Sequence, residues 1–501
     1  MKTSFTSVPA SRLTKFILIG WVTLILACIS IAVYAQGAAD SAIGQGKKHV
    51  FATDTALLNF PKTVERYYQA KAFRLSWVEK GHWNAKTAIA MMLLDCVRQF
   101  GLDPQDYHPN ELLYSRLALL EQYPDSLSEV GRRAFDEFLT DAVITMINHL
   151  HYGKFNPFYS ASEIDNGNLP HFNADFKLFM IIDAKDFYTE LVKVQPAILE
   201  YVNLQKNMQL VLGQYILDSY EYPQANVRKM AINMERLRWL SSAKGNRIQV
   251  NIPSYQLKLT TGDTVNNFKV IVGNPENPTQ TFESTLTRFT AAPDWKVPAE
   301  IFVAEILPNA LKDISYLKKN RYSIYDNQLK HIKINRRRLK KISQNPAVYM
   351  ARQSPIDENT LGSIRFRIDD QPSGTLYDHS GKNIFNTKER ASSKGCLQIE
   401  NPERLAKLLL VADGSEGKIK VLERALKDYQ YKNFYLKNPV PIAVTYLTCE
   451  MIDSRLIIYK DIYQKDAELE SKLFGEQAIR LADRRTNQRS IKKNNVKIFR
   501  R

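Results

Sequence analysis

The chain runs Gly374-Thr-Leu-Tyr-Asp-His-Ser-Gly-Lys-Asn-Ile-Phe-Asn-Thr-Lys-Glu-Arg-Ala-Ser-Ser-Lys-Gly-Cys-Leu-Gln-Ile-Glu-Asn-Pro-Glu-Arg-Leu-Ala-Lys-Leu-Leu-Leu410. His379 falls on an extended run, Cys396 follows Gly395 in a Ser-Ser-Lys-Gly turn, and Asn401-Pro402-Glu403 opens a helix. A cysteine behind a glycine at a strand-to-helix turn suits acyl transfer. Gly395 lets a substrate carbonyl approach the backbone, and amides around Gly395 and Cys396 can face a developing oxyanion. A free thiol, with a pKa of ~8.5, needs a neighbouring charge or base to become the thiolate. Lys394 offers the charge and His379 the base. Strand alternation places Tyr377 and His379 on one face.

Outward from this stretch the signals are those of a sheet. Upstream, Arg247 to Pro253, Tyr255 to Leu259 and Phe268 to Gly273 alternate or are β-branched, with Gly262-Asp263 as a hairpin turn. Ile301 to Leu317 reads as helical, and Lys318 to Arg352 is basic with Asp326 its one acid. Gly362 to Ile368 is a further strand. Downstream, Pro402 to Ala412 is a helix, and Pro439 to Glu450 and Arg455 to Tyr459 are closing strands. Residues 51 to about 240 instead carry the helical period, in Thr87–Phe100, Arg133–Leu150, Gln205–Leu217 and Val227–Leu240. Cys96 in the first of these reads as a small buried hydrophobe, and Cys449 as core. His149 and His151, two apart on a helix, face different ways and take no metal role.

With 501 residues, 44% hydrophobic and 24% charged, the chain is globular and holds more than one core. The net charge of +17 attracts polyanions without specifying which. Lys2, Arg12 and Lys15 precede an uncharged run, Phe16 to Tyr34, that ends in Ala35-Gln36. That is an export signal, either cleaved after Ala35 or kept as a membrane anchor through residues 16–34. An exported chain makes nucleic acid an improbable partner, despite the run from Arg336 to Lys341. After cleavage three cysteines would remain, Cys96, Cys396 and Cys449, an odd count that leaves at least one thiol unpaired, and Cys396 is the candidate.

The cysteine motif resembles that of the YkuD-type L,D-transpeptidases. Gly101-Leu-Asp-Pro-Gln-Asp-Tyr-His, Asn233-Met-Glu-Arg-Leu-Arg-Trp-Leu, Val250-Asn-Ile-Pro-Ser-Tyr, Trp295-Lys-Val-Pro, Glu305-Ile-Leu-Pro, Arg352-Gln-Ser-Pro, Leu361-Gly and Asp461-Ile-Tyr are similar to landmarks of the large periplasmic members, in the same order. The resemblance implies an α+β chain. Its parts would be a leader or anchor (1–35), a helical scaffold domain (36–244), a β-rich catalytic domain (245–465) capped by residues 310–352, and a basic tail (466–501). No peptidoglycan-binding module is expected between Pro157 and Val227.

It implies Cys396 as nucleophile, His379 as general base and Gly395 as oxyanion-hole backbone. Tyr377, Arg390, Ser393, Lys394 and Gln398 would contact the substrate. Two alignments of the base stay open, since the family histidine falls on Tyr377 without a gap and on His379 with two residues deleted. Gln398 stands where the family usually has arginine. The implied partners are peptidoglycan stem peptides and an acidic cell-wall surface in the periplasm or envelope, with no metal or organic cofactor. The alternative is a wall-binding scaffold protein that keeps the fold without efficient catalysis.

Overall fold

The computed structural model of the chain describes residues 51–475, apart from 80–81, 124–127, 170–171, 215–223, 242–244, 355–361, 370–374 and 379–381. The leader, the end of the tail and His379 lie outside the described residues, as does the side chain of Trp295. Among the described residues no helix is long and apolar enough to cross a membrane.

The helical half is built on α1 (Pro61–Ala70), α2 (Ala85–Asp95) and the long α3 (Glu129–Tyr152). Every residue of α3 from Phe135 to Asn148 is buried, acids included. The three acids survive there because each carboxylate binds loop amides that the core would otherwise leave unpaired. Asp136 accepts from the amides of Ser76, Trp77 and Val78, Glu137 from those of Ala52 and Thr53, and Asp141 from those of Asn59 and Phe60. Cys96 ends α2 and is exposed, contrary to the buried position that its apolar neighbours suggest. The α-helix stops at Asp95 and a tighter 3-10 turn carries Val97 and Phe100 inward instead.

Two more helices, α4 (Leu199–Gln214) and α5 (Gln224–Arg238), join this half to the sheet. From α5, Asn233 exchanges hydrogen bonds with Thr448, and Arg236 pairs with the buried Asp466 at 2.6 Å. Lys229 reaches the same carboxylate. Burial raises the Asp466 pKa, but Arg236 and Lys229 outweigh it and hold the group below its ordinary value.

The strands are β1 (Arg247–Asn251), β2 (Gln256–Thr261), β3 (Thr264–Gly273), β4 (Phe282–Ala291), β5 (Trp295–Lys296), β6 (Tyr322–Asp326), β7 (His331–Ile332), β8 (Tyr349–Gln353), β9 (Ile364–Ile368), β10 (Thr375–Asp378), β11 (Ala391–Ser393), β12 (Leu397–Ile399), β13 (Lys432–Thr445), β14 (Cys449–Ile452) and β15 (Arg455–Ile458). Nine form one mixed sheet, ordered β11-β3-β12-β10-β9-β4-β13-β1-β2. Because β3 also pairs with β2, through the two-residue turn Gly262-Asp263, the sheet closes on itself. Its core holds Ile248, Val250, Leu257, Phe289, Phe366, Leu376 and Leu397.

Helix α6 (Arg336–Gln344) belongs to a small unit between β5 and β8, which takes in the segment 310–352. There β5-β8-β6-β7 form a second sheet over Phe302, Ile306, Leu339 and Ile342. The apolar run before β6 is not one helix. Pro308 has no N–H to donate, the turn before it, Phe302–Ile306, takes the wider π form, and the chain breaks again after Lys312. Helix α7 (Pro402–Ala412) follows β12 and buries Leu405, Ala406, Leu409 and Leu410 on the large sheet, each leucine contributing about 1.5–3 kcal/mol. Cys449 is buried as expected, though on the separate hairpin β14–β15 rather than on β13. Burial pushes its thiol pKa up to about 12.

Candidate active site

Cys396 sits between β11 and β12, and the turn that carries it is tied to the end of β3. Asn274 N–H donates to the Ser393 carbonyl at 2.9 Å, and Val272 N–H to that of Arg390 at 2.9 Å. Two glycines allow this approach. A Cβ on Gly273 would stand 2.1 Å from the Asn277 carbonyl oxygen and 3.0 Å from the Gly395 Cα. Gly395 itself has φ +88, which a side chain tolerates poorly.

Hydroxyl groups fix the carbonyls of the turn. Thr279 donates to the Gly395 carbonyl at 3.1 Å and accepts from Gly273 N–H at 2.8 Å. Ser393 donates to the Cys396 carbonyl at 2.6 Å. Tyr463 donates to the Gly273 carbonyl at 2.6 Å and accepts from Thr279 N–H. The Cys396 thiol is half-exposed and in no disulfide, and it makes a long 4.0 Å contact to the Lys394 carbonyl in its own turn. The Lys394 side chain is exposed.

The thiol's other neighbour is Tyr377. In the parallel pair β10–β12, Tyr377 stands beside Gln398, and the Cys396 thiol and the Gln398 side chain both lie close enough to act on its hydroxyl. Burial, then the thiol, pushes the phenol pKa up to about 12, so it stays protonated at neutral pH. Arg390, by contrast, is turned into the fold. Its guanidinium donates to the carbonyls of Val270, Thr387 and Tyr255 and lies over the Tyr255 ring, and burial lowers its pKa.

The structure thus brings Tyr377, Ser393, Lys394, Gly395 and Gln398 around Cys396 and places Arg390 as a brace behind the turn. Sequence reasoning missed Thr279 and singled out Tyr463 only as part of Asp461-Ile-Tyr. Nothing local marks a threonine six residues beyond a strand's last glycine as its partner. It also missed three arginines on the face that carries Tyr377. Arg365 is opposite Tyr377, and Arg367 is opposite both Thr375 and Arg288. Cavities of about 650 and 970 Å³ open between the helical half and the sheet, around Phe158, Tyr159, Trp239 and Phe282, and Cys396 lines neither. No group of three or more potential metal-ligating side chains is gathered among the described residues.

Residues 62–208 match a family model described as a Scaffold domain. A protein of Haemophilus influenzae named "Putative L,D-transpeptidase" is 29% identical over 243 residues, which is 48% of this chain and 49% of that protein. The chain is therefore matched over about half the length of this curated relative. The helical half is thus similar to a scaffold domain, and about half of the chain to a protein named a putative L,D-transpeptidase.

Proposed function

We propose that the chain is a peptidoglycan L,D-transpeptidase that works through an acyl-enzyme on Cys396, in the periplasm or cell envelope. The observation that carries this reading is the turn itself, a half-exposed thiol behind a left-handed glycine whose carbonyls are pinned by Thr279 and Ser393. The pinned Gly395 carbonyl shares a peptide plane with the Cys396 amide, so that amide keeps one direction as charge develops on the substrate oxygen.

In this reading the Cys396 sulfur attacks the carbonyl carbon after the L-centre of a tetrapeptide stem. The C–N bond breaks, D-alanine leaves as the amine with the proton taken from the thiol, and a thioester remains. An acceptor amine then displaces the thiol. His379 is the proposed base. Tyr377, protonated and in contact with the sulfur, donates a hydrogen bond to the thiolate rather than removing its proton. The basic surface of α6, where Arg336, Arg337, Arg338, Lys340 and Lys341 are all exposed, suits attachment to acidic wall material.

Analysis of cross-links formed on purified cell walls tests this. Cys396→Ala abolishes the new products, His379→Ala lowers their rate by roughly 10²-fold or more, and Tyr377→Phe by less. Products that persist with Cys396→Ala would end the proposal. The phenol beside the sulfur also favours a second reading, a wall-binding protein without efficient catalysis. That reading predicts wall binding by both proteins and products from neither.

A further inference from the structure

The face of the large sheet that carries Tyr377 and Gln398 continues into a cluster of arginines. Gln398 on β12, Tyr377 on β10 and Arg365 on β9 stand in one row, each directly beside the next. At a strand spacing of about 4.8 Å, Arg365 starts one strand from Tyr377 and two from Gln398. Arg367, two residues along β9, shares this face and lies opposite Arg288 on β4.

Like charges placed directly opposite each other destabilise a sheet. Among the described residues no acid is paired with them. Neither Arg365 nor Arg367 has an ion pair or hydrogen bond among the described residues, and Arg288 has only the Tyr435 hydroxyl and ring. Asp369, the acid that follows β9, accepts instead from Thr287. Residues opposite or beside the cluster, Thr290, Asn433 and Tyr435, are neutral. Arg365 is half-buried, and this burial lowers its pKa, with Tyr431 opposing the shift and Arg367 and Arg288 adding to it. Arg390 on the same sheet shows the structural alternative, a guanidinium with carbonyls on three sides. Arg365 has the burial without those partners, one strand from a residue that touches the thiol.

We propose that Arg365, with Arg367 and Arg288, forms an anion subsite that takes a carboxylate of the peptide whose acyl group Cys396 accepts. The planar guanidinium offers a two-point hydrogen bond that fits a carboxylate. The ligand class is an acidic peptide, and a bound carboxylate relieves the repulsion within the cluster. The inference rests on the acyl-transfer reading of Cys396, so its test needs one arm that does not.

That arm is alkylation of Cys396 by iodoacetate and by iodoacetamide, followed by mass spectrometry of the peptide that contains it. Both reagents form the same S–C bond and expel iodide, but only iodoacetate carries a carboxylate. The expected result is that Arg365→Gln/Arg367→Gln lowers the iodoacetate rate about fivefold or more and leaves the iodoacetamide rate within about twofold, which also shows that the fold is intact. An unchanged ratio of the two rates would overturn the subsite.

The second arm is binding of a disaccharide-tetrapeptide to Cys396→Ala, with and without the arginine changes. Weaker binding of the free acid, with no change for the carboxyl-amidated compound, supports the subsite. Equal binding of the free acid overturns it and leaves the transpeptidase reading standing. A changed alkylation ratio with no binding of the tetrapeptide to the unaltered site keeps the anion subsite and removes the transpeptidase.

Discussion

The helical half and the sheet treat charge in opposite ways. In the helical half, Asp136, Glu137 and Asp141 are fully buried and each receives backbone amides, so the charges hold loops in place. On the sheet, among the described residues, the half-buried Arg365 and the exposed Arg367 have no such partners beside an accessible thiol. A buried charge whose hydrogen bonds close within the fold is architecture. One left open next to a nucleophile is available to a ligand.

The contrast can be broken most severely at Asp136. Asp136→Ala leaves the amides of Ser76, Trp77 and Val78 unpaired in the core and is expected to cost about 3–5 kcal/mol, measured by urea unfolding. A loss below about 1 kcal/mol would mean that water or other groups satisfy those amides, and the architectural half of the comparison would fail.

Asp466 gives a somewhat smaller effect with a pH signature. Asp466→Asn strands Arg236 and Lys229 and should cost about 3 kcal/mol at neutral pH. The folded pKa lies below the unfolded one, so the carboxylate's contribution is complete above the unfolded value of ~4 and is lost as pH falls through the lower folded value. The gap between the two proteins should therefore close in acid. A gap that stays constant with pH would locate the damage in packing instead.

Arg390 sharpens the comparison within the sheet. Arg390→Gln should destabilise the protein by about 1–3 kcal/mol through its lost carbonyl contacts, yet leave the ratio of iodoacetate to iodoacetamide reactivity unchanged. A fall in that ratio would show that Arg390 contributes to the field at the thiol, and the division between bracing and binding arginines would dissolve.

Much of this arrangement is legible in the chain. Asn401-Pro402-Glu403 marks the start of α7, Gly262-Asp263 marks the hairpin, and a glycine before a cysteine marks the turn, because each is a local backbone requirement. The scaffold helices follow from their period. What escapes the sequence is register and partnership. Arg365 and Tyr377 are twelve positions apart, and only the pairing of β9 with β10 makes them neighbours. Arg390 and Arg365 look alike as letters, and the carbonyls that separate their roles come from Val270, Thr387 and Tyr255. Cys96 is misread for a related reason, since its apolar neighbours say nothing of where the helix stops.

The most direct test of the central claim is intact-mass analysis of the protein after incubation with a disaccharide-tetrapeptide. The account predicts an acyl adduct that maps to Cys396, D-alanine released in step with it, and neither in Cys396→Ala. A folded protein that forms no adduct, while an active L,D-transpeptidase beside it does, would contradict acyl transfer and leave the wall-binding reading.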